Sequence, residues 1–306
     1  MFTDYDVVIV GSGCAGLAAG IYTSRAGYST LILEKETVGG EMMSRQLIEN
    51  YPGFATGVMG PDLGTAMVTQ AENAGAELEQ GEVIRIQDKG DYKIVKTDDE
   101  TYTCKGIILA SGSHPRLLNV PGEAELANNG VFYCATCDGA RCAGKTVVVA
   151  GAGDSGITEA LILEKLGCKV YVVELMAQPK ASKVLMDRAE ENENVKIMCG
   201  EKILEITGED WVTGVDIQNV ATGESQHLEV EGIYIRIGLV PNSQYLQNSI
   251  KLLPNGQVPI DENMKTEIDG VYAAGDIRQY SPAQIGAGTG DGIVAAMALG
   301  RYLSTL

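Results

Sequence analysis

The chain contains one pattern of strand, glycine turn and helix twice. Residues 6–34 read DVVIVGSGCAGLAAGIYTSRAGYSTLILE, and residues 146–174 read TVVVAGAGDSGITEALILEKLGCKVYVVE. Five positions of the first copy recur in the second at one offset of 140 residues (151 minus 11): Gly11, Gly13, Gly16, Gly27 and Glu34 become Gly151, Gly153, Gly156, Gly167 and Glu174. A single offset across five such positions indicates that the two segments fold alike.

Each copy has the residue order of a βαβ unit. A β-branched run leads into G-x-G-x-x-G, a stretch of helix formers follows, and a second apolar run ends in a carboxylate. In a Rossmann unit these glycines allow a tight turn, close approach of a pyrophosphate and packing of the helix on the strand, while the acid suits a ribose hydroxyl about 20 residues on. The sequence therefore predicts an α/β fold with two Rossmann-like, dinucleotide-binding domains.

The order of the remaining segments places the second domain inside the first. Turn-rich stretches near residues 115 and 241 flank the second copy, which predicts one domain from residues 1–115 and 241–306 and an inserted domain from 116–240. Residues 61–75 and 284–303 have helical patterns, and residues 82–104 alternate as a hairpin or meander does.

Composition excludes several classes of partner. The chain of 306 residues has 23 Lys and Arg against 41 Asp and Glu, a net charge of −18, which opposes nucleic acids and anionic membrane surfaces. No apolar run approaches the ~20 residues of a spanning helix, and residues 1–6 lack a basic, apolar signal segment. We therefore expect a cytoplasmic protein without a membrane or nucleic-acid partner.

One cysteine pair stands apart from the other cysteines. Cys134 and Cys137 form a C-x-x-C motif just before the second copy, and such a pair brings two sulfurs close enough to form and break a disulfide. A zinc site would need two more ligands, but there is no second C-x-x-C, and His114 and His227 lack ligand spacing. We predict a redox dithiol and no metal. We expect core packing for four other cysteines: Cys14, Cys104, Cys168 and Cys199. The role of Cys142 stays open.

These motifs together resemble the low-molecular-weight thioredoxin reductases, a branch of the flavoproteins with two dinucleotide-binding domains. The resemblance covers nearly the whole chain and rests on eight segments: GSGCAG (11–16), ENYPGF (49–54), ASGSHPR (110–116), VPGE (120–123), CATCDG (134–139), GAGDSG (151–156), IGLVPNS (237–243) and AAGDI (273–277). CATCD between two Rossmann copies is the most specific of them.

The resemblance implies a cofactor, catalytic residues and partners. FAD would occupy the first domain, Cys137 would face the flavin, Cys134 would attack the disulfide of thioredoxin or a thioredoxin-like protein, and Asp138 would donate or accept a proton. It also implies a homodimer. The FAD contacts carried over by position are Gly11, Gly13, Gly16, Glu34, Gly40, Asn50, Gly275, Asp276, Gln284 and Ile285.

The chain departs from the family where the electron donor would bind. Family members that use NADPH carry a His-Arg-Arg cluster after the second copy, whereas this chain has Glu174-Leu-Met-Ala-Gln-Pro-Lys180. Glu174 would repel a 2′-phosphate, and lysine does not reproduce the bidentate fork of arginine. The flavin-facing loops also differ, with Glu41 in place of the common glutamine. The sequence thus favours the branch of the family that takes electrons from reduced ferredoxin, with NADH, bound through Glu174, and NADPH as alternatives.

Two other functions fit the same scaffold. One is an NADH oxidase or a reductase that serves a peroxiredoxin, and the other is a non-enzymatic redox sensor whose thiols report to a partner. The sensor leaves a dithiol next to a flavin site without a purpose, so a thioredoxin-disulfide reductase is the principal prediction.

Overall fold

Strands and helices follow each other in the order that the two copies predict. The computed structural model describes residues 2–45 and 47–306. By its internal packing the chain divides into one unit formed by Met1–His114 and Val240–Leu306 and a second formed by Pro115–Leu239. The second unit is therefore an insertion between two parts of the first.

The first part of unit 1 carries the first copy of the repeated pattern. Strand β1 and helix α1 are followed by β2, as the glycine motif predicts, and an antiparallel β6–β7–β8 meander comes later. The elements in chain order are β1 (Tyr5–Val10), α1 (Cys14–Arg25), β2 (Thr30–Glu34), β3 (Leu47–Ile48), β4 (Val58–Met59), α2 (Gly60–Ala74), β5 (Glu77–Gln80), β6 (Val83–Asp88), β7 (Lys93–Thr97), β8 (Thr101–Leu109) and β9 (Ser113–Pro115).

Unit 2 repeats this arrangement around the second copy. Its elements are β10 (Val131–Phe132), α3 (Ala135–Asp138), β11 (Thr146–Ala150), α4 (Asp154–Lys165), β12 (Lys169–Glu174), α5 (Lys183–Glu190), β13 (Val195–Cys199), β14 (Glu201–Gly208), β15 (Val212–Asn219), β16 (Ser225–Glu229) and β17 (Ile233–Ile235). A parallel sheet runs in the order β10-β17-β11-β12-β13, and β14, β15 and β16 form an antiparallel sheet.

The chain then returns to unit 1 and completes its sheet. The last elements are β18 (Leu239–Pro241), β19 (Val271–Ala273) and α6 (Ile285–Leu303). The sheet of unit 1 has the order β5-β2-β1-β8-β7-β6, with β19 parallel to the end of β8. Strands β9 and β18 form a separate two-stranded sheet, as do β3 and β4.

Alternation along β1 places apolar side chains on both faces of the sheet in unit 1. Val7 and Ile9 belong to one buried cluster, which includes side chains of α1 and α6, and Val8 and Val10 belong to a cluster on the other face. A strand covered on both faces reads as a continuous apolar run, which explains the sequence VVIV. The open ends of such a sheet are where loops can form a binding site.

The sequence prediction of fold class is confirmed. Helix α2 begins at Gly60 beside Pro61 and ends at Ala74, and the φ of 101° at Gly75 suits a left-handed cap. The helix thus lies within one residue of the expected range 61–75. Helix α6 likewise begins within one residue of the expected start. Among the described residues, no helix is long and apolar enough to cross a membrane.

Helix α6 packs so closely on α1 that Gly292 has no room for a side chain. A Cβ on Gly292 would overlap the carbonyl group of Ala15, whereas one on Gly290 of the same helix would meet nothing within 4 Å. We expect Gly292→Ala to lower the free energy of unfolding by about 1–3 kcal/mol through overpacking, and Gly290→Ala to leave it unchanged or raise it by up to about 1 kcal/mol. Thermal unfolding of both variants without cofactor tests this, and equal melting temperatures would contradict it.

Candidate active site

The first glycine turn leaves the start of α1 open. Gly11 has a φ of 101°, and a Cβ on Gly16 would overlap the Gly11 carbonyl oxygen, so the helix begins directly against the turn. Gly13 is the N-cap of α1, and no side chain of the described residues caps it. The N–H groups of the first helical turn are therefore available to an anion such as a pyrophosphate.

Glu34 closes the same turn from the end of β2. One carboxylate oxygen accepts hydrogen bonds from the N–H and hydroxyl of Ser12, both at 2.8 Å, and the other accepts the N–H of Glu36 at 3.0 Å. The Ser12 hydroxyl also accepts the N–H of Gly39 at 3.1 Å. These bonds fix Glu34 next to the glycine motif, where a ribose hydroxyl would meet it.

Loops distant in sequence meet at the start of α1. A Cβ on Gly40 would lie 2.9 Å from the Cα of Gly13, and one on Gly275 would lie 3.0 Å from the Cβ of Ala15. Gly275 follows β19, so the Gly275–Asp276 turn and the Gly40 loop both contact the helix that carries the first motif. Four segments that the sequence assigned to one cofactor are thus neighbours: the first glycine motif, Glu34, the Gly40 loop and the Gly275–Asp276 turn.

The remaining predicted contacts lie at the start of α6. The side-chain amide of Asn50 donates to Gln284 at 3.0 Å, and Gln284 is the N-cap of α6, which begins at Ile285. No side chain in the described part of the chain caps this helix either. Asn50, Gln284 and Ile285 thus lie together at the second open helix start of unit 1.

Asp276 lies half-buried in this cluster. Burial raises the pKa of its carboxyl, the Ser281 hydroxyl opposes the rise by donating at 2.8 Å, and the charge of Asp291 adds to it. Burial, with a contribution from Asp276, also raises the pKa of the Cys14 thiol to about 12, so this cysteine stays protonated near neutral pH. Cys14 therefore has the core-packing role that the sequence predicted for it.

An ion pair that the sequence did not predict supports the Gly275–Asp276 turn. Two nitrogens of Arg278 donate to the Asp291 carboxylate at 2.6 and 2.9 Å, and the N–H of Gly275 donates to the same carboxylate at 3.1 Å. The two side chains are only 12% and 8% exposed. One feature of the sequence points to this ion pair: Asp291 is the one acidic residue in the apolar, glycine-rich helix 285–303.

The dithiol lies at the start of a helix in unit 2. Cys134 and Cys137 form a disulfide with their Cα atoms 5.4 Å apart, and both are half-buried. Cys134 is the N-cap of α3, and its sulfur accepts a hydrogen bond from the N–H of Cys137 at 3.2 Å. Asp138 is buried at the end of the same helix, with Arg141 4.0 Å from its carboxylate. The pairing of these sulfurs agrees with the predicted redox dithiol.

The other cysteines lie outside this site. Cys104, Cys142 and Cys168 are fully buried, and burial raises the pKa of each thiol. Cys142, which the sequence left open, packs in the core of unit 2 next to Cys168. Among the described residues, no group of three His, Cys, Asp or Glu side chains is arranged to hold a metal ion.

The second copy reproduces the carboxylate geometry of the first. Glu174 accepts the N–H of Ala152 at 2.7 Å and the N–H of Met176 at 2.9 Å. These donors lie 22 residues before and 2 residues after the carboxylate. Ser12 and Glu36 have the same spacing from Glu34. A cavity of about 830 Å³ in unit 2 surrounds this motif. Its lining includes Gly151, Gly153, Ser155, Glu174, Lys180 and Arg236.

Comparison with known proteins agrees with this arrangement. Residues 5–292 match the pyridine nucleotide-disulphide oxidoreductase family. The chain is 38% identical over 303 residues to the thioredoxin reductase of Bacillus subtilis (strain 168), covering 99% of this chain and 96% of that protein. The crystal structure of the thioredoxin reductase from Streptococcus pyogenes MGAS5005 is 37% identical, with a TM-score of 0.90 and 99% of both chains covered. The chain belongs to the thioredoxin-disulfide reductases.

The predicted ferredoxin branch receives less support. A ferredoxin-flavin thioredoxin reductase from Clostridium acetobutylicum is similar to this enzyme at 28% identity and a TM-score of 0.54, with 99% of each chain covered. The relatives at 37–38% identity carry the general name thioredoxin reductase. The comparisons therefore establish the family and flavin-dependent disulfide reduction, but they do not support ferredoxin as the donor.

We expect the Arg278–Asp291 pair to be needed for flavin binding as well as stability. Asp291→Ala would leave a buried guanidinium without its carboxylate, a change that costs about 3–5 kcal/mol in buried pairs, and would release the Gly275 N–H. The enzyme should then lose flavin on gel filtration and unfold at lower temperature. Lys183→Ala, which breaks the exposed Lys183–Asp187 pair, is the matched control and should change neither property. Full flavin retention by Asp291→Ala would contradict the expectation.

Proposed function

We propose that this enzyme reduces the disulfide of thioredoxin, or of a thioredoxin-like protein, with FAD in unit 1, Cys134 and Cys137 as the redox pair, and NADH as the electron donor. The balanced reaction is NADH plus H⁺ plus disulfide to NAD⁺ plus dithiol. The observation that carries the proposal is the Cys134–Cys137 disulfide in a chain with two matching dinucleotide motifs. Family membership supports the substrate.

The residues of unit 1 fit FAD. The open start of α1 suits the pyrophosphate, Glu34 suits a ribose hydroxyl, and half-buried Asp276 suits a hydroxyl of the ribityl chain because a carboxylate accepts such hydrogen bonds. When bound, the flavin would accept two electrons from the donor and pass them to the disulfide. The roles of Gly11, Gly13, Gly16, Gly40, Asn50, Gly275, Gln284 and Ile285 as contacts are part of this proposal.

The hydrogen bonds of α3 support Cys134 as the thiol that attacks the substrate. Its sulfur already accepts the N–H of Cys137, and a bond of this kind favours a thiolate over a thiol once the disulfide is reduced. Cys137 would then be the sulfur that receives electrons from the flavin. Asp138 is buried four residues after Cys134, and its own N–H donates to the Cys134 carbonyl at 3.0 Å. We assign it the proton transfer that accompanies the exchange.

Glu174 supports NADH over NADPH. The carboxylate stands at the second motif in the geometry that Glu34 has at the first, and a ribose 2′-hydroxyl can donate to it, whereas a 2′-phosphate would be repelled. The cavity around the motif supports this proposal, because it offers space for a pyridine nucleotide in this unit. Ferredoxin would leave this cavity without a use.

The resemblance also implies a homodimer, which light scattering of the flavin-loaded enzyme can test.

We expect Cys137→Ser to abolish thioredoxin reduction while leaving a folded, yellow protein. The serine hydroxyl cannot form a disulfide with Cys134, so electrons cannot leave the flavin by this route. Turnover is measured with NADH and oxidised thioredoxin, and bound flavin by its absorbance.

Cys142→Ser is the matched control, because Cys142 lies in the core of unit 2 and outside the disulfide. It should keep the activity of the unchanged enzyme. Retained turnover in Cys137→Ser would refute the dithiol, and rapid oxygen consumption with NADH in the absence of thioredoxin would favour an NADH oxidase instead.

We expect NADH to bleach the flavin faster than NADPH or reduced ferredoxin under anaerobic conditions. Glu174→Ala should lower kcat/KM for NADH by about 10- to 100-fold, because a hydrogen bond to a charged group contributes roughly 1.5–3 kcal/mol. Absorbance of the flavin in separate cuvettes measures the first effect, and steady-state kinetics measure the second.

Glu209→Ala removes an exposed carboxylate of unit 2 that is not among the residues of the cavity, and it should leave the kinetics unchanged. Bleaching by ferredoxin alone would overturn the assignment of the donor and make the second motif a scaffold. Equal rates with NADH and NADPH would refute the specificity assigned to Glu174.

A further inference from the structure

Two side chains from the end of one strand contact the backbone at both ends of the dithiol helix. Tyr234 in β17 donates its hydroxyl to the carbonyl of Asp138 at 3.2 Å, and Arg236, just after β17, donates from Nη1 to the carbonyl of Tyr133 at 2.8 Å. Residues two apart on extended backbone point to the same side. The end of β17 therefore holds the segment from Tyr133 to Asp138 from one side.

Glu159 on α4 contacts the same segment. Its carboxylate accepts the N–H of Ala135, and it forms an ion pair with Nε of Arg236 at 3.5 Å. The Glu159 side chain is 7% exposed and that of Arg236 is 21% exposed. The carbonyl before Cys134 and the N–H after it are thus bound by the two members of a single ion pair.

The charges around this pair are mostly negative. Burial raises the pKa of the Glu159 carboxyl, the positive charge of Arg236 opposes that rise, and the charge of Asp138 adds to it. Arg141 lies 4.0 Å from Asp138, on the far end of α3 from Cys134. Glu123 accepts the hydroxyl of Tyr133 at 3.1 Å. Of these charged groups, Arg236 is the cation whose bonds reach the backbone next to Cys134.

Arg236 also borders the cavity of the second glycine motif. Its backbone N–H donates to the carbonyl of Ala150 at 2.8 Å, immediately before Gly151, and Arg236 is one of the residues that line the cavity. One residue thus contacts the dithiol segment and the space assigned to the nucleotide. These contacts could not be predicted from the sequence, because they join residues up to 103 positions apart.

We propose that Arg236 is a positioning residue of the dithiol, which with Glu159 fixes the backbone on both sides of Cys134 and supplies the positive charge that favours the Cys134 thiolate. The inference deepens the proposed function and rests on it. Arg236 needs no contact with the reacting sulfur to act in this way, since a positive charge nearby lowers the pKa of a thiol.

The test measures the titration of Cys134 directly. In the flavin-loaded Cys137→Ser enzyme, kept reduced, the rate of iodoacetamide alkylation of Cys134 is followed against pH by mass spectrometry of its peptide. Adding Arg236→Ala should raise the midpoint by about one pH unit, which lowers the thiolate fraction at pH 7 about tenfold. Arg236→Lys should restore most of the difference, and Arg188→Ala, an exposed arginine of unit 2, should change nothing.

A second variant keeps the test decisive if Arg236→Ala does not fold. Glu159→Gln retains an oxygen for the Ala135 N–H but removes the negative charge, so it should shift the midpoint in the opposite direction, downward.

An unchanged midpoint in Arg236→Ala with a lowered melting temperature would overturn the proposal and leave Arg236 a structural role. A raised midpoint that Arg236→Lys does not restore would overturn the assignment of charge. Alkylation needs neither NADH nor thioredoxin, so failure here is distinct from failure of the proposed reaction.

Discussion

The close approach between a glycine turn and the helix that follows it determines both halves of this structure. In each unit the third glycine of the motif lies so near the carbonyl of the first that a Cβ would overlap it, at Gly16 against Gly11 and at Gly156 against Gly151. The helix can therefore begin directly above the end of the strand, and no side chain within residues 2–45 and 47–306 caps its first N–H groups. In both units the carboxylate at the end of the next strand then accepts the N–H of the residue that follows the first glycine.

The repeated geometry also explains how so acidic a chain can bind anionic cofactors. With a net charge of −18, the chain has few cations to place at a pyrophosphate, and Asp276, Asp291 and Glu34 all lie near the first motif. Backbone N–H groups at a helix start carry the required positive potential without a charged side chain. The proposed preference for NADH rests on the same arrangement, because the Glu174 carboxylate stands at the second motif as Glu34 does at the first and would repel a 2′-phosphate.

The sequence predicted the parts of this structure that depend on local pattern. The two βαβ units, helices α2 and α6 and the β6–β7–β8 meander follow from periodicity and turn residues, and the convergence of Gly40, Asn50 and Asp276 followed from the resemblance. The Arg278–Asp291 pair and the Arg236–Glu159 pair could not be predicted in this way, because each joins residues whose local sequences carry no pairing signal. Such pairs are determined by tertiary packing. The prediction of ferredoxin as donor rested on missing arginines and altered flavin-facing loops, and the comparisons do not support it.

Compared with apolar residues of similar size, the two buried ion pairs add little to the free energy of unfolding. Their presence is therefore better explained by a role in function. Transfer of two charges out of water costs about as much as their attraction returns, so apolar residues of similar size would often stabilise these sites equally well. Both pairs nevertheless lie beside chemistry: Asp291 binds the N–H of Gly275 next to Asp276, and Glu159 binds the N–H of Ala135 next to Cys134. An apolar residue could fill the same volume but could not accept hydrogen bonds from those N–H groups. A carboxylate without its arginine would remain protonated or destabilise the fold. The arginine in each pair holds a carboxylate acceptor at a fixed place, which is what the proposed cofactor-binding turn and the proposed reactive helix both require.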